Sequence, residues 1–544
     1  MKQIILPIFI IVTIFLSSCS SKKTDNKSSL SISKPNVILI VIDDLNDYQG
    51  CFGGHPQART PNIDKLAASG VRFINAQTNI GLCNPSRNSL FTGIYPHQSR
   101  NFGLDKKTTQ QLFKNNKTIM ERFSENGYFV MGSGKLLHSN QLNLWDEWGV
   151  KVNNYGPFAF DGKNQVGHPS VPQPFRSIGD IDGSYAPLSD MPVFTKDEIM
   201  GENPGWVNSR KVGDKFNYTD ETNRDLTPDE RHAQWAAKRI NEMAAADESK
   251  PFFMGVGFVR PHTPLYAPKR FFDMFPIEDI QLPEIKAGDV EDTHYKDNYA
   301  VERTADDKWY TNTSKGQMYS KMLTESYGGN EEEGLKHFLQ AYLACVAFAD
   351  EQVGVVLDAL NNSKFAENTI VVLTSDHGWQ MGEKQYLFKN SPWETSTHIP
   401  MVVSAPGVKA GSKIEQPVSL VDIYPTLVDL CELNGDNKKN ENGFPLGGFS
   451  MKNLVHNPSS NTWEGPDGAL TAIATDVVDY NLDTQTFTYR TKEFRYILYP
   501  NRQEELYDLK NDPKEWDNIA ANNTYKQNKK ELREAVMRII ASEN

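Results

Sequence analysis

The sequence predicts an α/β fold: a large, mainly parallel or mixed sheet flanked by helices, followed by a smaller C-terminal subdomain of antiparallel sheet plus helix. Three observations carry this. Continuous aliphatic runs of the kind required by strands buried on both faces recur at 37–42, 129–131, 252–258 and 369–374. Stretches of helical periodicity alternate with them, at 63–68, 118–126, 229–246 and 335–360, so the chain reads as βα units around a parallel sheet. After a further helix at 423–433 comes a polar, Gly/Asn/Lys-rich segment at 434–442. The pattern then becomes short and alternating, at 486–491 and 495–499, and closes with a helix at 526–542.

Single hydrophobic cores stop growing at roughly 250–300 residues. A chain of 544 residues should therefore form a main domain, placed at 35–440, and a C-terminal subdomain at 441–544. With 38% hydrophobic and 23% charged residues and no solenoid repeat, the composition is that of a soluble globular protein. Two stretches, 150–228 and 276–335, are rich in Gly, Pro, Asn, Asp and aromatics and show little periodicity. Loops this long in a compact protein tend to be functional surfaces, so they are expected at the rim of a cleft.

The first 19 residues read as an export signal: Lys2 supplies a positive charge, an apolar run extends from Ile4 to Leu16, and small residues precede Cys19. Leu16-Ser17-Ser18-Cys19 resembles the bacterial lipobox, which implies an exported lipoprotein held to a membrane through lipid on Cys19, periplasm-facing or on the cell-surface outer membrane. Residues 20–34, rich in Ser, Lys and Asn, would then be a flexible tether reaching roughly 20 Å. Five cysteines do not make a disulfide framework. With Cys19 and Cys83 set aside, Cys51, Cys345 and Cys431 remain, an odd number that leaves at least one unpaired; Cys345, in an apolar run, reads as a small buried hydrophobe. A net charge of −12 excludes a binder of nucleic-acid backbones, which needs a basic face.

In open α/β sheets, ligands bind beyond the carboxyl ends of the parallel strands. Four runs deliver polar residues there. The first ends in Asp43-Asp44 and the last in Asp376-His377, while 129–131 leads into Lys135 and His138, and 252–258 leads into Arg260 and His262. Adjacent acids at a buried strand end require a counter-charge. Asp43, Asp44 and Asp376 with the His377 imidazole make a cation site whose mostly oxygen donors point to Ca²⁺ or Mg²⁺ over zinc. Trp379 reads equally as a sugar-stacking wall or a core aromatic, and His398 as a structural residue.

The strongest signal is Leu82-Cys83-Asn84-Pro85-Ser86-Arg87-Asn88-Ser89-Leu90-Phe91-Thr92-Gly93. Pro85 suits the first turn of a helix running toward Phe91, placing Cys83 at the positive end of the helix dipole. A bare cysteine there would be a thiolate of low pKa, so a cysteine-nucleophile hydrolase is one reading and a buried cysteine at a helix start another.

Cys83-x-Pro85-Ser86-Arg87 followed by Ser89 and Thr92-Gly93 resembles the sulfatase signature, in which the cysteine is oxidised to formylglycine (3-oxoalanine). A second element of that family, Gly-Tyr-x₅-Gly-Lys-x₂-His, is matched from Gly127-Tyr128 to Lys135 and His138. The correspondence runs from about residue 36 to 407. It is closest to the iduronate-2-sulfatase-like branch through Gly257-Phe258-Val259-Arg260-Pro261-His262-Thr263-Pro264 and Asp376-His377-Gly378-Trp379, with Lys389 beyond.

The resemblance implies a formylglycine-dependent sulfatase of the alkaline phosphatase superfamily that hydrolyses sulfate esters on a carbohydrate. Asp43, Asp44, Asp376 and His377 would hold one Ca²⁺, with the residue-83 hydroxyl completing its shell. Arg87 and His138 would orient the formylglycine, Lys135 and Lys389 would hold sulfate oxygens, and His262 would protonate the leaving oxygen. It also implies a formylglycine-generating maturation enzyme and a sulfated oligo- or polysaccharide substrate; with the export signal, an ulvan-like or other uronate- and rhamnose-containing algal glycan is expected. The alternatives are a phosphonate or phosphate ester hydrolase of the same superfamily, a thiolate hydrolase, and a glycan-binding lipoprotein.

Overall fold

A computed structural model describes residues 34–139, 141–209, 214–246, 250–296, 315–459, 462–475 and 480–541. The expected signal at 1–19, Cys19 and the tether through residue 33 lie outside the described residues. No helix among the described residues is long and apolar enough to cross a membrane.

The body is built on one eight-stranded sheet. Its strands in chain order are β1 (Asn36–Ile42), β2 (Val71–Phe73), β3 (Phe129–Gly134), β4 (Glu147–Trp148), β5 (Phe252–Phe258), β6 (Thr369–Ser375), β7 (Met401–Ser404) and β8 (Ser412–Ile414). Their spatial order is β8-β2-β7-β6-β1-β5-β3-β4. The four aliphatic runs of the sequence occupy the centre, β6-β1-β5-β3, and are parallel throughout. Strand β7 pairs antiparallel with both β6 and β2, which makes the sheet mixed toward one edge.

Side chains alternate across a strand, so β1 feeds two cores. Ile38, Ile40 and Ile42 join Leu339, Leu343 and Phe348 on one face. Val37, Leu39 and Val41 join Leu90, Phe91, Tyr424 and Leu427 on the other. Both faces being covered explains why β1 is aliphatic at nearly every position.

The helices form where the sequence places them, and their ends follow capping chemistry. α1 (Pro61–Ser69) begins at a proline, α2 spans Cys83–Thr92, and α3 (Ile119–Glu125) begins with a Thr118/Glu121 capping box. α4 (Pro228–Ala245) is capped likewise by Thr227 and Glu230. The stretch 276–335 departs from expectation, because it contains a helix, α5 (Lys315–Ser326), and the start of the long α6 (Glu331–Asn361). Its period is obscured because α5 buries Lys315, Gly316, Gln317 and Ser320 alongside Tyr319 and Leu323. Helix α7 (Ile423–Leu430) follows β8.

The C-terminal part is the expected antiparallel sheet and helix: β9 (Ala469–Ile473), β10 (Thr486–Arg490), β11 (Phe494–Leu498) and β12 (Glu504–Asp508) in sequential order, covered by α8 (Lys526–Ala541). Its core of Tyr489, Tyr496, Leu506, Leu532 and Val536 takes in Ile80, Leu82 and Phe102. Lys34–Asn544 make up one compact unit. Cys51, Cys83, Cys345 and Cys431 are all unpaired, and Cys345 is fully buried in α6.

Candidate active site

Register assembles the site. Ile42 stands opposite both Phe258 and Ser375, so β1, β5 and β6 end level, and Gly134 stands opposite Gly257, so β3 ends one residue earlier. Asp43, Lys135, Val259 and Asp376 are each the next residue and therefore leave the same end of the sheet. Two glycines permit the closest approach: a Cβ on Gly134, at φ +90°, would stand 1.9 Å from the Gly257 carbonyl oxygen, and one on Gly257 would strike the Lys135 backbone. Asp44 sits at φ +59°, a left-handed conformation held by Tyr342, whose hydroxyl donates to the Asp44 carbonyl at 2.8 Å and accepts from Asn46 N at 3.1 Å.

Cys83 is the first residue of α2, as Pro85 implied, and no side chain caps that end. Its Sγ lies 3.2 Å from Lys389 Nζ and 3.3 Å from His377 Nε2. Arg87, one turn further and fully buried, donates from Nε to Asp376 Oδ2 at 2.8 Å and from Nη2 to Asp43 Oδ1 at 3.1 Å. Lys135 pairs with Asp43 Oδ2, and Lys389 donates to Asp44 Oδ1 at 2.8 Å. The Asp376 carbonyl accepts from Thr78 at 2.6 Å and Ser86 at 2.7 Å, which ties the metal-motif strand to the start of α2.

The two adjacent acids are held differently. Burial would raise Asp43, yet Lys135, His262, Arg87 and Lys389 keep its carboxyl well below the usual range. At Asp44 burial outweighs Lys389 and His377, and the carboxyl is pushed up to about 8. Cys83 corrects the expectation of an acidic thiol: burial, then Asp43, raises it despite Lys135 and Lys389. Without a cation, burial and the Asp43 charge outweigh the helix dipole at this thiol.

Asp43, Asp44, Cys83 and His377 each place a ligand atom within 4.8 Å of the others. Asp376 adjoins them, its Oδ2 3.8 Å from His377 Nε2, with that oxygen accepting from Arg87 and Oδ1 from Asp44 N at 3.2 Å. The donor set suits a hard divalent cation: the acids are fully buried, and Asp44 is left short of positive charge by the protein's own cations.

The cluster meets a cavity of about 800 Å³ through Cys83, which lines it together with His138, Tyr155, Asp182, His262, Lys315 and Lys389. His262 Nε2 lies 3.8 Å from Asp44 Oδ2, while its Nδ1 contacts the Thr263 carbonyl oxygen; burial, then Lys389 and Lys135, holds the imidazole well below its usual range. His138 is exposed at the rim and makes no hydrogen bond to the cluster among the described residues.

Sequence reasoning missed several lining groups. Tyr155 puts its ring under Lys135 Nζ at 4.6 Å and edge-on to His262 at 5.1 Å. Asp182 accepts from Lys315 Nζ at 2.8 Å, Tyr319 at 2.9 Å and Thr263 at 2.8 Å. Both lie in the aperiodic stretch 150–228, so only its length signalled them. Arg260 faces away from the cluster, bonded to the Tyr266, Tyr155 and Gly156 carbonyls. Trp379 is a core residue, 2% exposed and packed on Phe388 and Phe338, so the stacking-wall reading falls. His398 pairs with Asp47 at 3.1 Å, a structural role.

Comparison with known proteins agrees with this geometry. The family model described as Sulfatase matches residues 35–433, and that of the N-sulphoglucosamine sulphohydrolase C-terminal region matches 382–542. A sulfatase of Formosa agariphila is 32% identical over 95% of this chain and 89% of its own length. Iduronate 2-sulfatase of Mus musculus is 28% identical over 77% of this chain and 72% of its own. Two solved structures share the fold at TM-score 0.62 and 20% identity: a phosphonate monoester hydrolase of Agrobacterium radiobacter (94% of this chain, 96% of that one), and a complex with its substrate D-glucosamine-2-N,6-O-disulfate (93% and 98%). With the signature cysteine, the strand-end acids and both halves of the chain accounted for, the protein belongs to the sulfatase family and is a sulfuric ester hydrolase.

Proposed function

We propose that this enzyme removes sulfate from a sulfated carbohydrate, using residue 83 as formylglycine beside one Ca²⁺. The observation that carries this reading is the position of Cys83: at a helix start, between Lys389 and His377, against two buried acids and open to a cavity large enough for a saccharide. Hydrated formylglycine supplies a hydroxyl nucleophile, and Ca²⁺ supplies charge to stabilise the sulfuryl oxygens. A hydroxyl in place of the thiol also leaves a donor set of oxygens with one imidazole, which favours Ca²⁺ more than the thiol does.

The chain's own residues do the rest. Asp43, Asp44, Asp376 and His377 would hold the ion. Arg87 fixes the orientation of Asp43 and Asp376, and His138 stands at the mouth beside residue 83. Lys135 and Lys389 offer ammonium donors to sulfate oxygens. His262 lines the cavity with Nε2 3.8 Å from Asp44, and to protonate the leaving oxygen its imidazole must first be charged, which the negative charge of a bound sulfate would favour.

The relatives that act on iduronate and on sulfated glucosamine support a sugar substrate. Our preferred source remains an algal uronate- and rhamnose-containing glycan such as ulvan, reached by an exported lipoprotein anchored through Cys19 and matured by a formylglycine-generating enzyme.

The test is parallel kinetics on aryl sulfate, phosphate and phosphonate esters, followed by sulfate release from defined sulfated oligosaccharides. Sulfate turnover should dominate by orders of magnitude; dominant phosphonate turnover would replace this reading with that of the phosphonate hydrolases. Release from an iduronate 2-sulfate alongside failure on every algal oligosaccharide would move the substrate to glycosaminoglycans.

A further inference from the structure

Lysine is a long, flexible side chain, yet Lys389 must hold its ammonium within hydrogen-bond distance of both Asp44 and residue 83. What fixes its backbone lies in the C-terminal sheet. Asn390, the next residue, is fully buried and sits at φ +64°, a left-handed conformation that asparagine tolerates better than most residues. Its side chain makes a two-point clasp with Ala474, just past β9: Nδ2 donates to the Ala474 carbonyl at 3.1 Å, and Ala474 N donates to Oδ1 at 3.0 Å. The Tyr386 hydroxyl lies within 3.2 Å of the Lys389 carbonyl and 3.3 Å of the Asn390 carbonyl.

The same strand also grips the segment leading to Cys83. Ala472 N donates to the Asn79 carbonyl at 3.0 Å, Ala472 bridges Ile80, and Thr471 donates its hydroxyl to the Thr78 carbonyl. Gly81 then lies flat on Asn390, so closely that a Cβ there would stand 2.6 Å from the Asn390 Cα. Residues 78–80 and Asn390 are thus both seated on Thr471, Ala472 and Ala474, at β9 and its end, and Gly81 packs on Asn390 between them.

We infer that the end of β9 sets the separation between Lys389 and residue 83, and that Asn390 is the positioning residue that transmits it. This rests on the proposed role of Lys389 as a holder of sulfate oxygens. The C-terminal sheet is then part of the catalytic apparatus, although none of its clasping residues touches substrate.

The test is Asn390→Gly, which keeps the left-handed backbone available while removing both hydrogen bonds, measured alone and in a Lys389→Ala background. A displacement of the ammonium by about an ångström should raise both KM for an aryl sulfate and the inhibition constant of inorganic sulfate by roughly 10- to 100-fold. In the Lys389→Ala background the same change should have no further effect, because the group being positioned is gone. Loss of folded protein alone would lower kcat and leave KM and the sulfate inhibition constant unchanged, and that outcome overturns the inference. So does an equal effect in both backgrounds. Should Lys389→Ala itself leave KM and sulfate inhibition intact, the assignment of Lys389 fails instead, a result separable from the first.

Discussion

Two guanidinium–carboxylate networks are buried among the described residues, and the contrast between them shows what distinguishes a reactive centre from a structural one. Arg87 joins Asp43 and Asp376; Arg495 joins Glu394 and Glu515. Both arginines are fully buried. The Arg495 network is closed off from open space: Arg495 also donates to Thr488 at 2.9 Å and the Pro392 carbonyl at 3.2 Å, Glu394 is drawn down to about 2 by Arg490, Arg495 and His398 against burial, and Glu515 is raised by burial despite Arg495. The Arg87 network lies beside Asp44, which is left at about 8, and beside Cys83 and Lys389, which line a cavity. Buried charge marks a site only where it stays under-compensated beside open space.

The sharpest way to break the contrast is to remove the reacting group. Cys83→Ala should lower aryl sulfate turnover by about four orders of magnitude or more while the melting temperature stays near that of the parent. Next in size, Lys135→Ala and Lys389→Ala should each reduce kcat/KM by roughly 10²- to 10³-fold; losses below tenfold for both would deny them contact with the transition state.

Arg495→Met addresses the other network. It leaves Glu515 buried without its partner, while Glu394 keeps Arg490 and His398, and should cost about 3–5 kcal/mol in denaturant unfolding. KM for aryl sulfate on the folded enzyme should not move; a large KM change would show that the closed network also shapes the site.

The networks should also part company with pH. Glu394 is depressed from 4.5 to about 2, so its stabilising contribution is complete above about pH 4.5 and is lost as pH falls toward 2. Asp44 has the opposite sign. Raised from 3.8 to about 8, it retains a proton that the unfolded chain has released, so the metal-free protein should lose stability as pH rises through that window. A bound divalent cation should cancel that loss. Chelation should therefore lower the melting temperature more at pH 8 than at pH 5, and Ca²⁺ affinity should climb across the same range. A chelator effect independent of pH would contradict the assignment of Asp44 as a ligand.

The central sheet was legible in the sequence because strands buried on both faces must be aliphatic, and the site because parallel strands that end within a residue of one another expose whatever residue comes next. Asp43, Lys135 and Asp376 need only that rule. Asp182 and Tyr155 were not legible, since they come from a long irregular segment whose course is set by tertiary contacts such as the Asp182–Thr263 hydrogen bond, nor was Lys315, at the start of a helix the sequence did not reveal. Helix α5 escaped because its buried face carries lysine, glutamine and serine as well as apolar side chains. The surroundings of the thiol were hidden for a related reason: sequence reveals the helix start, but the burial and the Asp43 charge that oppose the dipole depend on the assembled fold.

The most direct test is the mass of the peptide spanning residues 73–87, which trypsin releases between Arg72 and Arg87, measured across preparations of differing activity. The loss expected when CH₂SH becomes CHO should appear at residue 83, and sulfate-ester turnover should rise in proportion to the aldehyde fraction. Full turnover from protein whose Cys83 remains an intact thiol would contradict the account.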